Sequence, residues 1–183
     1  MKKGLYFLAI LLPPPLAQKV QAVKKEFADR YDSKEAYKRP AHFTLIAPFK
    51  IPEKQEEIII PQLIYFADEQ RPFTLSLSGF NHFRDDVIFI DVKDPSAMKM
   101  LHGNLVEHLQ NEMGFSSKSA RPKNLTPHMT VAFRDLSSEN FQQAWQEFKD
   151  RSFDYVFEVN SIFLLKHDYT RWQPFYEFTF SEG

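Results

Sequence analysis

Two histidine–threonine pairs in the sequence have the residue types needed for acid–base chemistry. His42 and Thr44 lie in the segment PAHFTLIAPF, and His128 and Thr130 lie in TPHMTVAF, so both pairs sit among apolar residues. These are the only two of the six histidines that have a threonine two positions later. Residues i and i+2 of a strand project to the same face, so each segment would present an imidazole beside a hydroxyl.

This combination of side chains suits proton transfer around a bound phosphate. A neutral histidine accepts a proton from a nucleophile, and a protonated one gives a proton to a leaving group. Threonine hydroxyls donate hydrogen bonds to non-bridging phosphate oxygens. Two pairs that face one another would place a base and an acid on opposite sides of phosphorus, as an in-line displacement requires. Threonine in place of arginine favours a phosphodiester with a single negative charge.

The hydrophobic pattern predicts an α+β chain with the two pairs in corresponding parts of two similar half-chains. Helical spacing of apolar residues predicts helices over 15–31, 95–114 and 137–150, the last with a serine cap. Apolar runs and alternation predict strands over 5–12, 42–50, 72–80, 86–92, 125–133, 152–159, 161–167 and 174–180. Pro61 interrupts the mixed segment 53–70, whose structure the pattern leaves undetermined. No linker separates the halves, which predicts a single domain over residues 1–183.

Composition narrows the class of protein. The chain has 183 residues, 43% of them hydrophobic, and a net charge of −1, which is typical of a soluble globular domain. The near-neutral charge argues against an extended duplex-binding surface and leaves a short or terminal nucleic-acid ligand open. The absence of cysteine excludes thiolate catalysis and cysteine-based metal sites, and favours the cytoplasm.

The beginning of the sequence imitates a secretory signal, because two lysines precede an apolar run at 5–12. The run is short and ends at three consecutive prolines, so we interpret it as a first core strand. No other stretch approaches the length of a membrane span. We therefore expect a protein without a membrane partner, and a monomer.

The motifs HFTL at 42–45 and HMTV at 128–131 resemble the H-x-T-x signature of the two-histidine (2H) phosphoesterase superfamily. The opening LYFLAILLPPPL, the separation of the motifs and the segment GFNHFRDDVIFIDV are similar to its branch of 2'-5' RNA ligases and RNA 2',3'-cyclic phosphodiesterases. The resemblance implies a bilobal fold with two pseudo-symmetric antiparallel sheets and flanking helices around a central cleft. It assigns catalysis to four residues: His42, Thr44, His128 and Thr130.

The same resemblance implies an activity. Members of this branch open 2',3'-cyclic phosphates at RNA ends or on nucleotides, without a metal or other cofactor, and some join 2'-5' RNA linkages in reverse. The implied partner is an RNA end or a nucleotide that carries a cyclic phosphate. Two alternatives remain open: the same site acting on a small non-RNA cyclic phosphodiester, and a non-catalytic protein that binds RNA or nucleotide ends. A purely structural role for both pairs is a third.

Basic residues beside the second motif are candidates for substrate binding. Arg134 directly follows the motif strand, and Arg121 and Lys123 precede it in a polar loop. Such residues usually form a solvated loop, but beside a phosphate site they would act as an electrostatic funnel. Phe83 and Tyr169 are candidates for stacking on a base.

The remaining histidines have weaker claims to a functional role. We interpret His82 as a turn residue, and His102 and His108 as ordinary helix residues. His167 is ambiguous between a strand end and the cleft. No third ligand lies at a persuasive spacing from the two motif histidines, so the sequence predicts no metal site.

Overall fold

The computed structural model describes residues 2–115 and 125–182. Within these ranges the strands are β1 (Lys3–Leu11), β2 (His42–Pro52), β3 (Phe73–Phe83), β4 (Val87–Val92), β5 (Met129–Ala132), β6 (Asp154–Val159), β7 (Ser161–His167) and β8 (Trp172–Thr179). The helices are α1 (Pro14–Tyr31), α2 (Glu56–Asp68), α3 (Ser96–Met113) and α4 (Ser138–Phe148), and a short 3-10 helix (Glu53–Gln55) leads into α2.

The strands form two antiparallel sheets of four strands each. Sheet A has the order β2-β1-β7-β8 and sheet B has the order β5-β4-β3-β6. Each sheet carries one histidine–threonine motif, on β2 in sheet A and at β5 in sheet B. The predicted fold class, α+β with two antiparallel sheets and flanking helices, is confirmed.

Two of the helices cross from one sheet to the other. Helix α1 joins two strands of sheet A but contacts β5 of sheet B, and α3 joins two strands of sheet B but contacts β2 of sheet A. Phe27 of α1 packs at 4.4 Å from Phe148 of α4, whose ring lies 5.0 Å from Phe80 of β3. One continuous cluster of buried side chains runs through both sheets. This shared core supports the single domain proposed from the sequence.

Strand β1 has buried side chains on both of its faces because it lies inside sheet A. Tyr6, Leu8 and Ile10 point into the shared core. Phe7 and Ala9 point the other way and pack with Leu165, Phe163, Leu11 and Trp172 in a second, smaller apolar cluster. We call this second side the cleft face of sheet A. The motif shares it, since Ala9 pairs with Thr44 and Leu11 pairs with His42 across the ladder.

The segment around Pro61, which the sequence pattern left undetermined, forms helix α2, and one strand is shorter than predicted. Helix α2 contains Pro61 in its interior, and Ile59, Leu63 and Phe66 of the same helix bury their side chains in the core. This burial offsets the hydrogen bond that proline removes. Strand β5 covers only 129–132 of the predicted 125–133, so His128 immediately precedes the strand.

The predicted serine cap of α4 is confirmed, because the side chain of Ser137 accepts a hydrogen bond of 3.1 Å from the backbone N–H of Asn140. Among the helices in the described ranges, none is long and apolar enough to cross a membrane.

Candidate active site

His42 is the first residue of β2 and lies half-buried on the cleft face of sheet A. Its ring packs against Phe7 of β1, with 5.1 Å between the ring centroids. Its Nδ1 atom lies 2.7 Å from the carbonyl oxygen of Pro40, two residues earlier. The turn into the strand therefore fixes the ring from one side while the neighbouring strand packs on its face.

His128 has the same relation to its own turn. Its Nδ1 atom lies 2.7 Å from the carbonyl oxygen of Thr126, again two residues earlier. The edges of two phenylalanine rings contact it, Phe83 at 4.9 Å and Phe89 at 5.6 Å between centroids. Phe89 of β4 pairs with Thr130 of β5, which puts both on the same face of sheet B as the motif.

The two carbonyl contacts determine which nitrogen of each imidazole is free. A carbonyl oxygen only accepts hydrogen bonds, so Nδ1 donates in both rings and the neutral form has its lone pair on Nε2. In the part of the chain that the structure describes, neither Nε2 has a hydrogen-bond partner, and neither do the hydroxyls of Thr44 and Thr130. As far as the described residues go, all four groups of the motifs are available to a ligand.

The two imidazoles lie within electrostatic reach of one another. Burial, together with the smaller effects of the nearby charges of Lys24, Arg39 and His128, lowers the pKa of His42 from 6.5 to about 4, although the hydrogen bond to Pro40 opposes this shift. The strands that carry the motifs, β2 of sheet A and β5 of sheet B, contact one another, and His128 is close enough to His42 to affect its pKa.

Two arginines from different lobes meet at the ring of Phe133. The guanidinium carbons of Arg39 and Arg134 both lie 5.1 Å from the ring centroid of Phe133. Burial lowers the pKa of Arg39, and the charge of Arg134 lowers it further. Among the described residues neither guanidinium has a carboxylate within 4.0 Å, so both remain available to attract an anion.

The sequence analysis selected Arg134 and missed Arg39. The signal that could have found Arg39 is its position three residues before His42, on the turn that fixes that ring. Arg134 directly follows β5 and has a left-handed backbone conformation, with φ of 61°. Side-chain positions across two lobes depend on the fold, which local spacing does not reveal.

Lys24 of α1 is a second residue that the sequence analysis missed. Its side chain is buried, and its Nζ donates hydrogen bonds to the carbonyl oxygens of Arg39 at 3.1 Å and Pro40 at 3.2 Å. It lies one helical turn from Val20 and Phe27, on the apolar face of α1. A lysine within an apolar stripe was the available signal.

The other candidates have different locations. Phe83 contacts His128, as described above, whereas Arg121 and Lys123 lie outside the described residues. Tyr169 is 78% exposed in the turn between β7 and β8. His167 lies half-buried at the end of β7, on the face that Leu165 shares, with its ring 5.0 Å from that of Trp172.

Three histidines lie elsewhere. The interpretation of His82 as a turn residue is wrong, because it belongs to β3 and packs on Trp145 of α4 at 4.6 Å. Alternation continues through this end of β3, so its side chain turns away from the motif. His102 is buried in α3, and burial lowers its pKa. Nε2 of His108 lies 3.0 Å from the carbonyl oxygen of Gln62 and joins α3 to α2.

No group of three or more potential metal-ligating side chains (His, Cys, Asp or Glu) with suitable geometry occurs within residues 2–115 and 125–182. The chemistry available from the described site is therefore that of two imidazoles, two hydroxyls and two guanidinium groups.

Comparisons with known proteins identify similar chains. Two curated relatives carry the name "Putative phosphoesterase". One, from Bacillus cytotoxicus, is 28% identical over 168 residues, which is 90% of this chain and 88% of the relative. The other, from Geobacillus kaustophilus, is 26% identical over 167 residues, 90% of this chain and 87% of the relative.

Solved structures share the fold. LigT of Escherichia coli, in complex with 3'-AMP, superimposes with a TM-score of 0.65 at 19% identity, covering 99% of this chain and 100% of LigT. A protein of Thermus thermophilus gives a TM-score of 0.68 at 16% identity, covering 96% and 97% of the two chains. The sequence profile of the 2'-5' RNA ligase superfamily matches residues 12–171, which include both motifs. The chain belongs to the 2'-5' RNA ligase superfamily of 2H phosphoesterases.

Proposed function

We propose that the protein is a cyclic phosphodiesterase that opens a 2',3'-cyclic phosphate, on a nucleotide or at the end of an RNA, by acid–base catalysis with His42 and His128. One observation carries the proposal. Both imidazoles donate from Nδ1 to a carbonyl two residues earlier, at 2.7 Å, and both leave Nε2 without a partner among the described residues. Two histidines prepared in the same way suit a reaction that needs both a base and an acid.

The proposed step conserves atoms and protons. Water attacks phosphorus and forms a new P–O bond while its proton moves to Nε2 of one neutral histidine. The P–O bond to one ribose oxygen breaks on the opposite side, and the other histidine, protonated at Nε2, gives that oxygen its proton. The product is a ribose phosphate monoester. In the reverse direction the two histidines exchange roles. If the 5'-hydroxyl of a second RNA replaces water in the opening step, and the 3' oxygen is the one that leaves, the product is a 2'-5' linkage.

The remaining groups of the site stabilise the phosphate. The hydroxyls of Thr44 and Thr130 donate to its non-bridging oxygens, which gain negative charge in the transition state. Arg39 and Arg134 supply positive charge at the edge of the site. Phe83, which packs against His128, offers a partly exposed ring for a nucleobase.

Two findings on relatives support a nucleotide substrate. The family is named for 2'-5' RNA ligases, and LigT was crystallised with 3'-AMP, a ribose phosphate monoester. A monoester of this kind is one of the two products that opening of a 2',3'-cyclic phosphate can yield. The relatives named as phosphoesterases are consistent with the same reaction class.

The test is hydrolysis of 2',3'-cyclic nucleotides and of a short RNA with a 2',3'-cyclic phosphate end, in the presence of a chelator. Wild type is compared with His42→Ala, His128→Ala and His82→Ala, the last as a matched histidine variant outside the site. We expect turnover by wild type and His82→Ala and its loss in the two motif variants. The product isomer then identifies the ribose oxygen that leaves.

Two results would contradict the proposal. Tight binding of the cyclic RNA end without turnover would indicate a binding protein. If the protein turned over a small non-nucleotide cyclic phosphodiester but neither the RNA nor the nucleotides, the proposed acid–base chemistry would stand and the proposed substrate would be wrong.

A further inference from the structure

Lys24 is a buried cation that the proposed reaction does not use. Its side chain is only 1% exposed, and its Nζ reaches two backbone carbonyls, those of Arg39 and Pro40. Among the described residues no carboxylate lies within 4.0 Å of this Nζ. An ammonium buried without a counter-ion is costly, so an apolar side chain at this place in α1 would serve packing better.

The contact with Pro40 connects Lys24 to the candidate active site. The carbonyl oxygen of Pro40 accepts from Lys24 Nζ at 3.2 Å and from His42 Nδ1 at 2.7 Å. One carbonyl group therefore holds both side chains. Because Lys24 is anchored in α1, it fixes the position of the turn that orients the His42 ring.

The second motif is built differently. The carbonyl oxygen of Thr126 accepts from His128 Nδ1, and in the described part of the chain no lysine reaches that oxygen. The two turns thus share the histidine contact, and only the first has a described buried cation behind it.

The charge of Lys24 also acts on His42. It contributes to lowering the pKa of His42, after burial and together with Arg39. Burial and the charge of Arg39 lower the pKa of Lys24 itself to about 7. Two other charged groups act on Arg39: Arg134 lowers the pKa of its guanidinium and Glu35 raises it. His128 also acts on His42, whose pKa it helps to lower.

We propose that Lys24 is a positioning residue, which holds the Pro40 carbonyl and thereby keeps the His42 ring oriented with Nε2 toward the substrate. Lys24 does not touch the substrate in this arrangement, and its effect passes through His42. The proposal rests on the function proposed above, in which His42 takes part in proton transfer.

The test is Lys24→Met, which keeps an unbranched side chain of similar length and removes the charge and both hydrogen bonds. Lys25→Met is the matched control, because Lys25 is the exposed neighbour that pairs with Asp29. We expect kcat to fall about tenfold or more, with KM changed less than about threefold, since the substrate contacts remain. Thermal unfolding should occur at the same or a higher temperature, because an unpaired buried charge has been removed.

A change that a purely structural role would not produce is expected in the pH profile. Removing a positive charge raises the pKa of His42, so the limb of the pH–rate profile that reports His42 moves to higher pH. NMR titration of the His42 ring in the free protein should show the same displacement. Lys25→Met should leave both unchanged.

The proposal would be overturned if Lys24→Met left kcat, the position of the limb in the pH–rate profile and the pKa of the His42 ring unchanged. A fall in kcat that only matches a fall in the folded fraction, measured by circular dichroism, would also overturn it. If the methionine variant does not fold, Lys24→Leu, which also removes the charge and both hydrogen bonds, is judged by the same readouts. The NMR titration needs no substrate, so it tests the effect of Lys24 on His42 even if wild type opens no cyclic phosphate and the proposed function fails.

Discussion

The two halves of the site use the same local device in different surroundings. In both, a histidine donates from Nδ1 to the carbonyl two residues before it, and a threonine follows two residues later. Around His42 there are a buried lysine, a half-buried arginine and the ring of Phe7. Around His128 there are the edges of two phenylalanine rings, Phe83 and Phe89.

This difference teaches that the motif alone does not define the chemistry of its histidine. Acid–base catalysis by two similar groups requires one to hold a proton while the other is free, so their surroundings must differ. The first half supplies positive charge and burial, both of which favour the neutral imidazole. The hydrogen-bonded turn sets the orientation of each ring, and residues from other elements set its proton affinity.

The largest expected effect tests whether the two halves work as one unit. His42→Ala and His128→Ala should each lower kcat/KM by about 10²–10⁴-fold. The double variant should be no slower than the slower single variant, because removing either group already disables the shared proton transfer. Single-turnover hydrolysis of a 2',3'-cyclic nucleotide measures all three. Losses that multiply would show instead that the histidines act independently.

The second prediction concerns stability and compares the two histidines directly. The unfolded chain protonates His42 below its usual pKa of 6.5, whereas the folded chain does so only near 4. The unfolded state therefore gains relative stability as pH falls through this window. His42 should account for the loss of up to about 3 kcal/mol of unfolding free energy between pH 6.5 and 4.

Urea unfolding at pH 7.5 and pH 4.5 measures this contribution. We expect His42→Gln to lose less stability than wild type between the two conditions, and His128→Gln serves as the matched variant. If the two substitutions flatten the pH dependence equally, the proposed difference between the halves is wrong.

The third prediction concerns the hydroxyl groups. Thr44→Val and Thr130→Val preserve shape and remove one donor each, so kcat/KM should fall about 10–100-fold for each hydrogen bond to the charged phosphate. Thr→Ser at the same positions should restore most of the activity. A loss at only one of the two positions would indicate that one half alone holds the phosphate.

The smallest effect is expected at the edge of the site. Arg134→Gln should raise KM about two- to fivefold at low ionic strength, with the difference disappearing in high salt, because exposed charges are screened. Arg84→Gln is the matched control, since Arg84 is also exposed and also has a left-handed backbone conformation, with φ of 47°. An equal rise in KM for Arg84→Gln would show that the effect comes from the net charge of the protein and not from the position of Arg134.

The sequence predicted the elements that depend on local patterns. The strand after Arg39, the helix over 15–31 and the serine cap at 137 each follow from spacing that short segments contain. The segment around Pro61 was left undetermined because its helix depends on burial against sheet A, which outweighs the local cost of proline.

The candidate site was only partly predictable for a related reason. The motif histidines and threonines are recognisable in the sequence because the pattern occurs twice, and Phe83 was selected as an aromatic ring able to stack on a base. Lys24 of α1 acts through the carbonyl groups of Arg39 and Pro40, in the turn before β2. Arg39 acts beside Phe133, which follows β5. Such contacts involve residues that are distant in sequence, and His82 was misplaced because the length of β3 is fixed by pairing with β4.

The strand order of sheet A has a consequence for how the chain folds during its synthesis. Strand β1, whose Phe7 supports the His42 ring, pairs on its other side with β7, and Phe7 lies opposite Leu165. A ribosome must therefore synthesise the chain as far as β7 before this support of the His42 ring can form. Long sequence separation slows folding. The first motif of a nascent chain therefore lacks this support until β7 has been synthesised.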